Sequence, residues 1–129
     1  MSNNDPLLLD DSLWPLLIVQ IRGAVPFARF EEYLVQRLAY LERQQKHVML
    51  FDMRHAPMLP SEHRRLQSEW LKQHEHQLDA VVLGHAIVIT SPLLRLMLST
   101  FQKARPRSGL HLDTPRLDDA ARWCLEVLE

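Results

Sequence analysis

The sequence predicts an α/β fold: a mostly parallel sheet of about five strands, begun by an N-terminal antiparallel hairpin and covered by four helices. Three observations carry this. Residues 48–53, Val-Met-Leu-Phe-Asp-Met, form a short, almost wholly apolar run that stops at a carboxylate, the pattern of a strand covered on both faces at the centre of a sheet. A second apolar run, residues 84–90, is rich in β-branched residues and is followed at once by Ser91 and Pro92, a good cap-and-proline start for a helix. Around both, strand-length runs alternate with stretches whose apolar residues recur every three and four positions. Such alternation implies parallel strands joined by right-handed crossovers.

In chain order, the hairpin is read from Leu7, Leu8 and Leu9, a polar turn at Asp10, Asp11 and Ser12, and a second strand over residues 14–22. Pro15 lacks an amide donor, so it belongs at the start of that strand or on an unpaired edge. From residue 26 to about residue 45 the period becomes helical, with Phe27, Phe30, Leu34, Leu38 and Leu41 in one stripe. Pro26 suits a first turn, and Glu31 and Glu32 lie near the positive end of the dipole. The central strand comes next, followed by a proline-containing loop over residues 54–60.

A second helix is predicted from Ser61, as its N-cap, to about Leu78. Leu66, Trp70 and Leu78 form its inner face with Leu71 at the margin, leaving Arg64, Arg65, Glu69, Lys72 and Glu75 in solvent. Residues 80–83 read equally well as helix end or connection. On the third helix, Leu93, Leu94, Leu96, Met97, Leu98 and Phe101 cover roughly 200° at 100° per residue, wider than the ~100° stripe of an ordinary surface helix. That arc needs cover on both flanks from its own domain, or from a partner. After a basic stretch, residues 103–109, a short strand is predicted over residues 110–112. The last helix then begins at Thr114 and Pro115, with Asp118 in a capping box, and carries Leu117, Ala120, Ala121, Cys124, Leu125 and Leu128 on one face.

At 129 residues and 47% apolar, the chain is sized for one domain with its own core. Fifteen Lys plus Arg against 16 Asp plus Glu leave a net charge of −1, too small a field to attract nucleic acid or an anionic membrane. Cys124 is the sole cysteine, which excludes an internal disulfide or a cysteine-rich zinc site and suits a reducing compartment. A cytoplasmic location is expected, because residues 1–6 also lack the basic start and apolar stretch of a signal peptide. Residues 80–98 include Gly84, His85, Ser91, Pro92 and Arg95, and one Arg at a span's centre costs roughly 2.5–3.5 kcal/mol on insertion scales. This segment is therefore read as a strand running into a helix, with no membrane span.

Several stretches, together with the strand order, resemble the STAS domains of anti-sigma-factor antagonists and the wider SpoIIAA-like, STAS/SEC14-type group. They are residues 14–23 and 48–52, Gln67-Ser68-Glu69-Trp70, residues 86–92, and Asp118-Asp119-Ala120-Ala121-Arg122-Trp123. The resemblance spans nearly the whole chain. It implies a single STAS-like domain over residues 1–129 that works as a regulatory protein-interaction module, without catalysis or cofactor. In SpoIIAA-type antagonists a polar residue ends the central strand, and nine positions later a phosphorylatable serine of an Asp-Ser-Ser-Gly motif starts a helix. Asp52 and Ser61 have that separation, but Ser61 stands between Pro60 and Glu62 and the motif is absent. Phosphosite and plain N-cap are both readings of Ser61, and capping alone explains a serine there. The expected partner surface comprises Asp52, Arg54, His55, Ser61, Arg64 and Arg65. The SEC14 relationship implies a second reading, a small apolar ligand or lipid held against Leu93, Leu94, Met97, Leu98 and Phe101. The same surface would otherwise serve a homodimer through residues 92–103.

A third reading is a small enzyme. Asp52, Arg54 and His55 lie where open sheets place their sites, at the carboxyl end of a central strand, with Thr90 and Ser91 at the matching end of the next. Asp52, Ser61 and Ser91 could form a polar crevice, but similar residues end most such strands, so no catalytic residue is assigned. Seven histidines invite a metal reading. His74 and His76, two apart on a helix, point to different faces, and His47, His55, His63, His85 and His111 are scattered among strand edges and loops. Hydrogen-bonded or solvated histidines account for them, and no metal site is assigned.

Overall fold

The computed structural model describes residues 4–104 and 110–129, and of residues 100–104 the backbone alone. Within this range the elements are β1 (Leu7–Leu13), β2 (Leu16–Ile21), α1 (Phe27–Glu42), β3 (His47–Asp52), α2 (Ser61–Gln73), α3 (Glu75–Val81), β4 (Val82–Val88), α4 (Pro92–Ala104), β5 (Leu110–Thr114) and α5 (Leu117–Leu128). The strands form one five-stranded sheet in the order β1-β2-β3-β4-β5. β1 runs antiparallel to β2, and the other neighbours are parallel. The apolar run at residues 48–53 is the central strand, as expected, and lies directly beside the second run, with Phe51 opposite Ile87 and Asp52 opposite Val88.

Strand alternation sends side chains to two unequal faces. On one face Leu17, Val19, Ile21 and Met49 pack with Phe30, Leu34 and Leu41 of α1, Trp70 and Leu71 of α2, and Leu78 and Val81 of α3. On the other, Leu16, Val48, Leu50, Ala86 and Val88 pack against Ala120 and Cys124 of α5. Small residues let α5 lie close to the sheet. A Cβ added to Gly84 would meet the Trp123 ring at 3.1 Å and the Leu110 carbonyl oxygen at 3.1 Å, so the absence of a side chain at residue 84 is what admits the indole. Cys124 is fully buried, and burial pushes its thiol up to about 11.

Five expectations are corrected. The hairpin turns at Trp14 and Pro15, while Asp10, Asp11 and Ser12 continue β1 through an irregular register between Asp10 and Leu13. Their outward carboxylates are held locally, since Asp10 accepts from the Ser12 amide and Asp11 from the Tyr40 hydroxyl. Among the described residues there are five helices where four were expected, because the predicted second helix breaks at His74, whose backbone leaves helical geometry at φ −112°, ψ 20°. The break re-aims the chain so that both Leu78 and Val81 reach the core. Ser61 is the first residue of α2 and Pro60 holds the N-cap position, without a side-chain cap bond. Arg116, not Thr114, precedes α5, and Asp118 is turned to the Arg116 guanidinium at 3.0 Å instead of closing a capping box. Finally, Leu125 of α5 is 59% exposed, and Trp123 supplies the packing expected of it. Ser91, by contrast, caps α4 as expected, its Oγ accepting from the Leu94 amide at 3.3 Å. Among the described residues no helix is long and apolar enough to cross a membrane.

Candidate functional site

On the face opposite α5, helices α1, α2 and α4 do not close on the sheet, and a cavity of about 260 Å³ lies between them. Its floor is Phe51 and Met53 of β3 and its loop with His85, Ile87 and Ile89 of β4 and beyond. One wall is Phe30, Tyr33 and Arg37, successive turns of α1. The opposite wall is Leu94, Met97 and Leu98 of α4, and Leu71, Gln67 and Arg64 of α2 complete the enclosure with residues 57–60. The excess apolar arc of the third predicted helix is thereby divided. Leu94, Met97 and Leu98 turn to the cavity and are partly covered, whereas Leu93 and Leu96 face out at 60% and 64% exposure. The Phe101 side chain, the fifth member of the expected ligand or dimer surface, lies outside the described residues, as do residues 105–109 of the basic stretch.

The wall contributed by α1 holds the most unusual group. Arg37 is 5% exposed, and its guanidinium stacks over Trp70 at 5.0 Å, Phe51 at 5.6 Å and Tyr33 at 6.0 Å. Its hydrogen bond among the described residues is a long one, Nη1 to the Tyr33 hydroxyl at 3.5 Å, and no carboxylate within that range pairs with it. Arg37 is not among the residues singled out from the sequence, but a signal was there: residue 37 stands three after Leu34 and four before Leu41, a spacing that puts it on the buried face.

The rim is polar and more conventional. Arg64 donates to the Met97 sulfur at 3.9 Å, bridging α2 and α4. At the α2 start, His63 is 5% exposed and its Nε2 lies 2.7 Å from the Val25 carbonyl. A carbonyl only accepts, so Nε2 carries the proton, and this bond fastens α2 to the segment before α1.

Asp52, the centre of the expected partner surface, is on the α5 face and does not line the cavity. It is 4% exposed and fully engaged: Arg54 donates to both carboxylate oxygens at 2.9 and 2.8 Å, its amide adds a third bond at 3.2 Å, and Gln20 donates at 3.2 Å. The Arg54 hydrogen bonds hold the Asp52 carboxyl below its ordinary value, against the opposing effect of burial. Ser61, Arg64, Arg65 and His55 are exposed. Of the six residues expected to meet a partner, Arg64 alone lines the cavity. No hydrogen bond among the described residues joins Asp52, Ser61 and Ser91, and the Ser91 hydroxyl is occupied in capping α4.

Three histidine placements differ from the expected scatter. His47 is 1% exposed, stacked on Trp14 at 4.8 Å, with Nδ1 donating to the Gln45 carbonyl at 2.9 Å. Burial is the main cause that lowers its pKa, and the cations Arg37 and Arg43 add to it. His63 is the buried strut described above. His85 and His111 face each other across β4 and β5, with His85 Nε2 and His111 Nδ1 2.7 Å apart, so one nitrogen donates and the other accepts. Asp113 lies 2.8 Å from the other ring nitrogen of His111. No spacing in the sequence shows that pair, because it depends on the register of two strands a helix apart. Among the described residues, no group of three or more His, Cys, Asp or Glu is placed to hold a metal ion. Compared with known proteins, the chain matches no family model and no curated protein.

Proposed function

We propose that this protein is a non-enzymatic binding module of STAS-like architecture that takes a small, mostly apolar molecule into the cavity between the sheet and α1, α2 and α4. The observation that carries the reading is the cavity: about 260 Å³, walled by Phe30, Phe51, Leu71, Ile87, Ile89, Leu94 and Leu98. Native interiors leave few voids larger than a water molecule. An apolar cavity of ~150 Å³ is enough to take up benzene. A space of this size, with a few polar groups on its wall and rim, has the composition of a ligand site. The engagement of Asp52 by Arg54 and of Ser91 by α4 supports binding over catalysis at the strand ends.

A second reading, a regulatory module that presents residues 54–61 and α2 to a protein partner, is favoured by one observation. The loop that carries His55 and leads to Ser61 is also cavity wall, through Pro57, Met58, Leu59 and Pro60. A ligand beneath it would bias the conformation of the exposed surface above, including Ser61, Arg64 and Arg65. The protein should therefore carry a ligand out of its native cells. Native mass spectrometry of freshly purified protein is expected to show a species heavier than the 15.1 kDa chain that reverts to the bare mass on denaturation. A bare chain, together with no saturable uptake of a neutral apolar probe, rejects the binding reading.

A further inference from the structure

We propose that the cavity is selective for a monoanionic amphiphile, a small carboxylic acid with an aromatic or branched apolar body, and that Arg37 receives its carboxylate. This rests on the cavity being a ligand site and adds the chemical class of the ligand.

Among the described residues, Arg37 is a buried charge with no carboxylate partner. A guanidinium stays protonated in proteins, so burial cannot neutralise it. Burying such a charge unpaired is expensive, and buried charges are ordinarily paired or satisfied by several hydrogen bonds. Arg37 is 5% exposed, yet among the described residues it makes one long hydrogen bond and no ion pair. The faces of Tyr33, Phe51 and Trp70 hold it by cation–π attraction, which leaves its in-plane N–H donors, other than the one long bond to the Tyr33 hydroxyl, without a partner among the described residues. Because the residue lines the cavity, those donors have one place from which a partner can come.

The geometry of the group selects the partner. Two parallel N–H bonds of a guanidinium match the two oxygens of a carboxylate. One buried cation balances one negative charge, and a phosphate dianion would leave a charge uncompensated in the same apolar surroundings. Apart from Tyr33, Arg64, Gln67 and His85, the side chains around Arg37 in the cavity are apolar, so the body of the ligand is mostly hydrocarbon. The size bounds it to roughly that of a two-ring aromatic acid, given that ~150 Å³ accommodates one benzene ring.

The test compares 2-naphthoate with 2-naphthamide, near-isosteres that differ in charge, by isothermal titration of the full chain. The wild-type protein is expected to bind the acid about 10- to 100-fold more tightly, the span of one charge-assisted bidentate contact. In Arg37→Met, which keeps the volume and removes the charge, the preference disappears while the amide still binds. Arg65→Gln, at an exposed α2 residue outside the cavity lining, keeps the preference, and Arg64→Gln tests the cavity rim directly. Equal affinity for acid and amide in the wild type overturns the assignment, and that comparison stands even if Arg37→Met fails to fold. A preference lost in Arg64→Gln but kept in Arg37→Met also overturns it, by placing the carboxylate at the rim. If the amide binds and the acid has no advantage, the cavity reading survives and this inference fails. If neither compound nor a neutral naphthalene binds, both fail.

Discussion

Asp52 shows how a residue can be legible in position and misleading in role. Its place at the end of a central strand is readable from the sequence, because a carboxylate terminates an apolar run. Its bidentate bond to Arg54, two residues on, is not, since that depends on how the loop turns. The pairing makes Asp52 a structural carboxylate, and Asp52→Asn is expected to cost about 1–3 kcal/mol at neutral pH, measured by urea unfolding. The sign with pH follows from the lowered native pKa. The contribution is present in full above the unfolded value of ~3.9 and is lost as pH falls below it, so the variant should show a flatter acid limb than the wild type. His47 acts in a different window. Its pKa is also lowered in the fold, so its contribution is complete above the unfolded value of ~6.5 and is lost as pH drops through the range beneath. Wild-type stability should fall between pH 7 and 5, and His47→Gln should flatten that decline. An unchanged slope in His47→Gln contradicts the buried, neutral assignment. Arg37 was not singled out in the sequence, although its spacing from Leu34 and Leu41 would place it on the buried face; that it has no carboxylate partner among the described residues is a property of the packed structure alone.

At the scale of elements, periodicity found the five strands and most helices, but it ran α2 and α3 together and misplaced several ends. The break at His74 escapes a pattern reading because the apolar positions before and after it, Trp70 and Leu78, remain in phase. The hairpin turn was misplaced because polar Asp10, Asp11 and Ser12 look like a turn, while an edge strand tolerates outward polar residues just as well. The close contact between α5 and the sheet depends on Gly84. Gly84→Ala must push back Trp123 or the Leu110 backbone, and is expected to lower stability by about 1–3 kcal/mol as overpacking does. Pairing it with Trp123→Phe, which withdraws the ring atom nearest the added methyl, should recover part of that loss. Beneath α5, the Cys124 thiol should not react with a thiol reagent at pH 8 in the native protein and should react at once in denaturant. Rapid labelling of the native chain would show that α5 leaves the sheet readily. Helix α4 was legible as too apolar for a surface helix, yet the sequence could not divide its arc into the cavity-lining Leu94, Met97 and Leu98 and the outward Leu93 and Leu96.

The whole molecule is asymmetric about its sheet. One face is sealed by small residues of α5, and the other keeps a cavity under three helices. The strand order β1-β2-β3-β4-β5 came only with the structure, whereas a mostly parallel sheet with an antiparallel edge follows from element alternation and connection rules and so could be read from one sequence. The cavity could not, because it is a shortfall of packing between α1, α2 and α4, and such a shortfall appears only when side-chain volumes are placed in space. The most direct measurement of the central claim is fluorescence titration of a neutral apolar probe, N-phenyl-1-naphthylamine, into the wild-type protein and into Leu94→Trp, which fills the cavity from its α4 wall. The account predicts saturable, blue-shifted binding to the wild type and at least tenfold weaker binding to the folded variant. Equal binding to both, or none to the wild type, would contradict it.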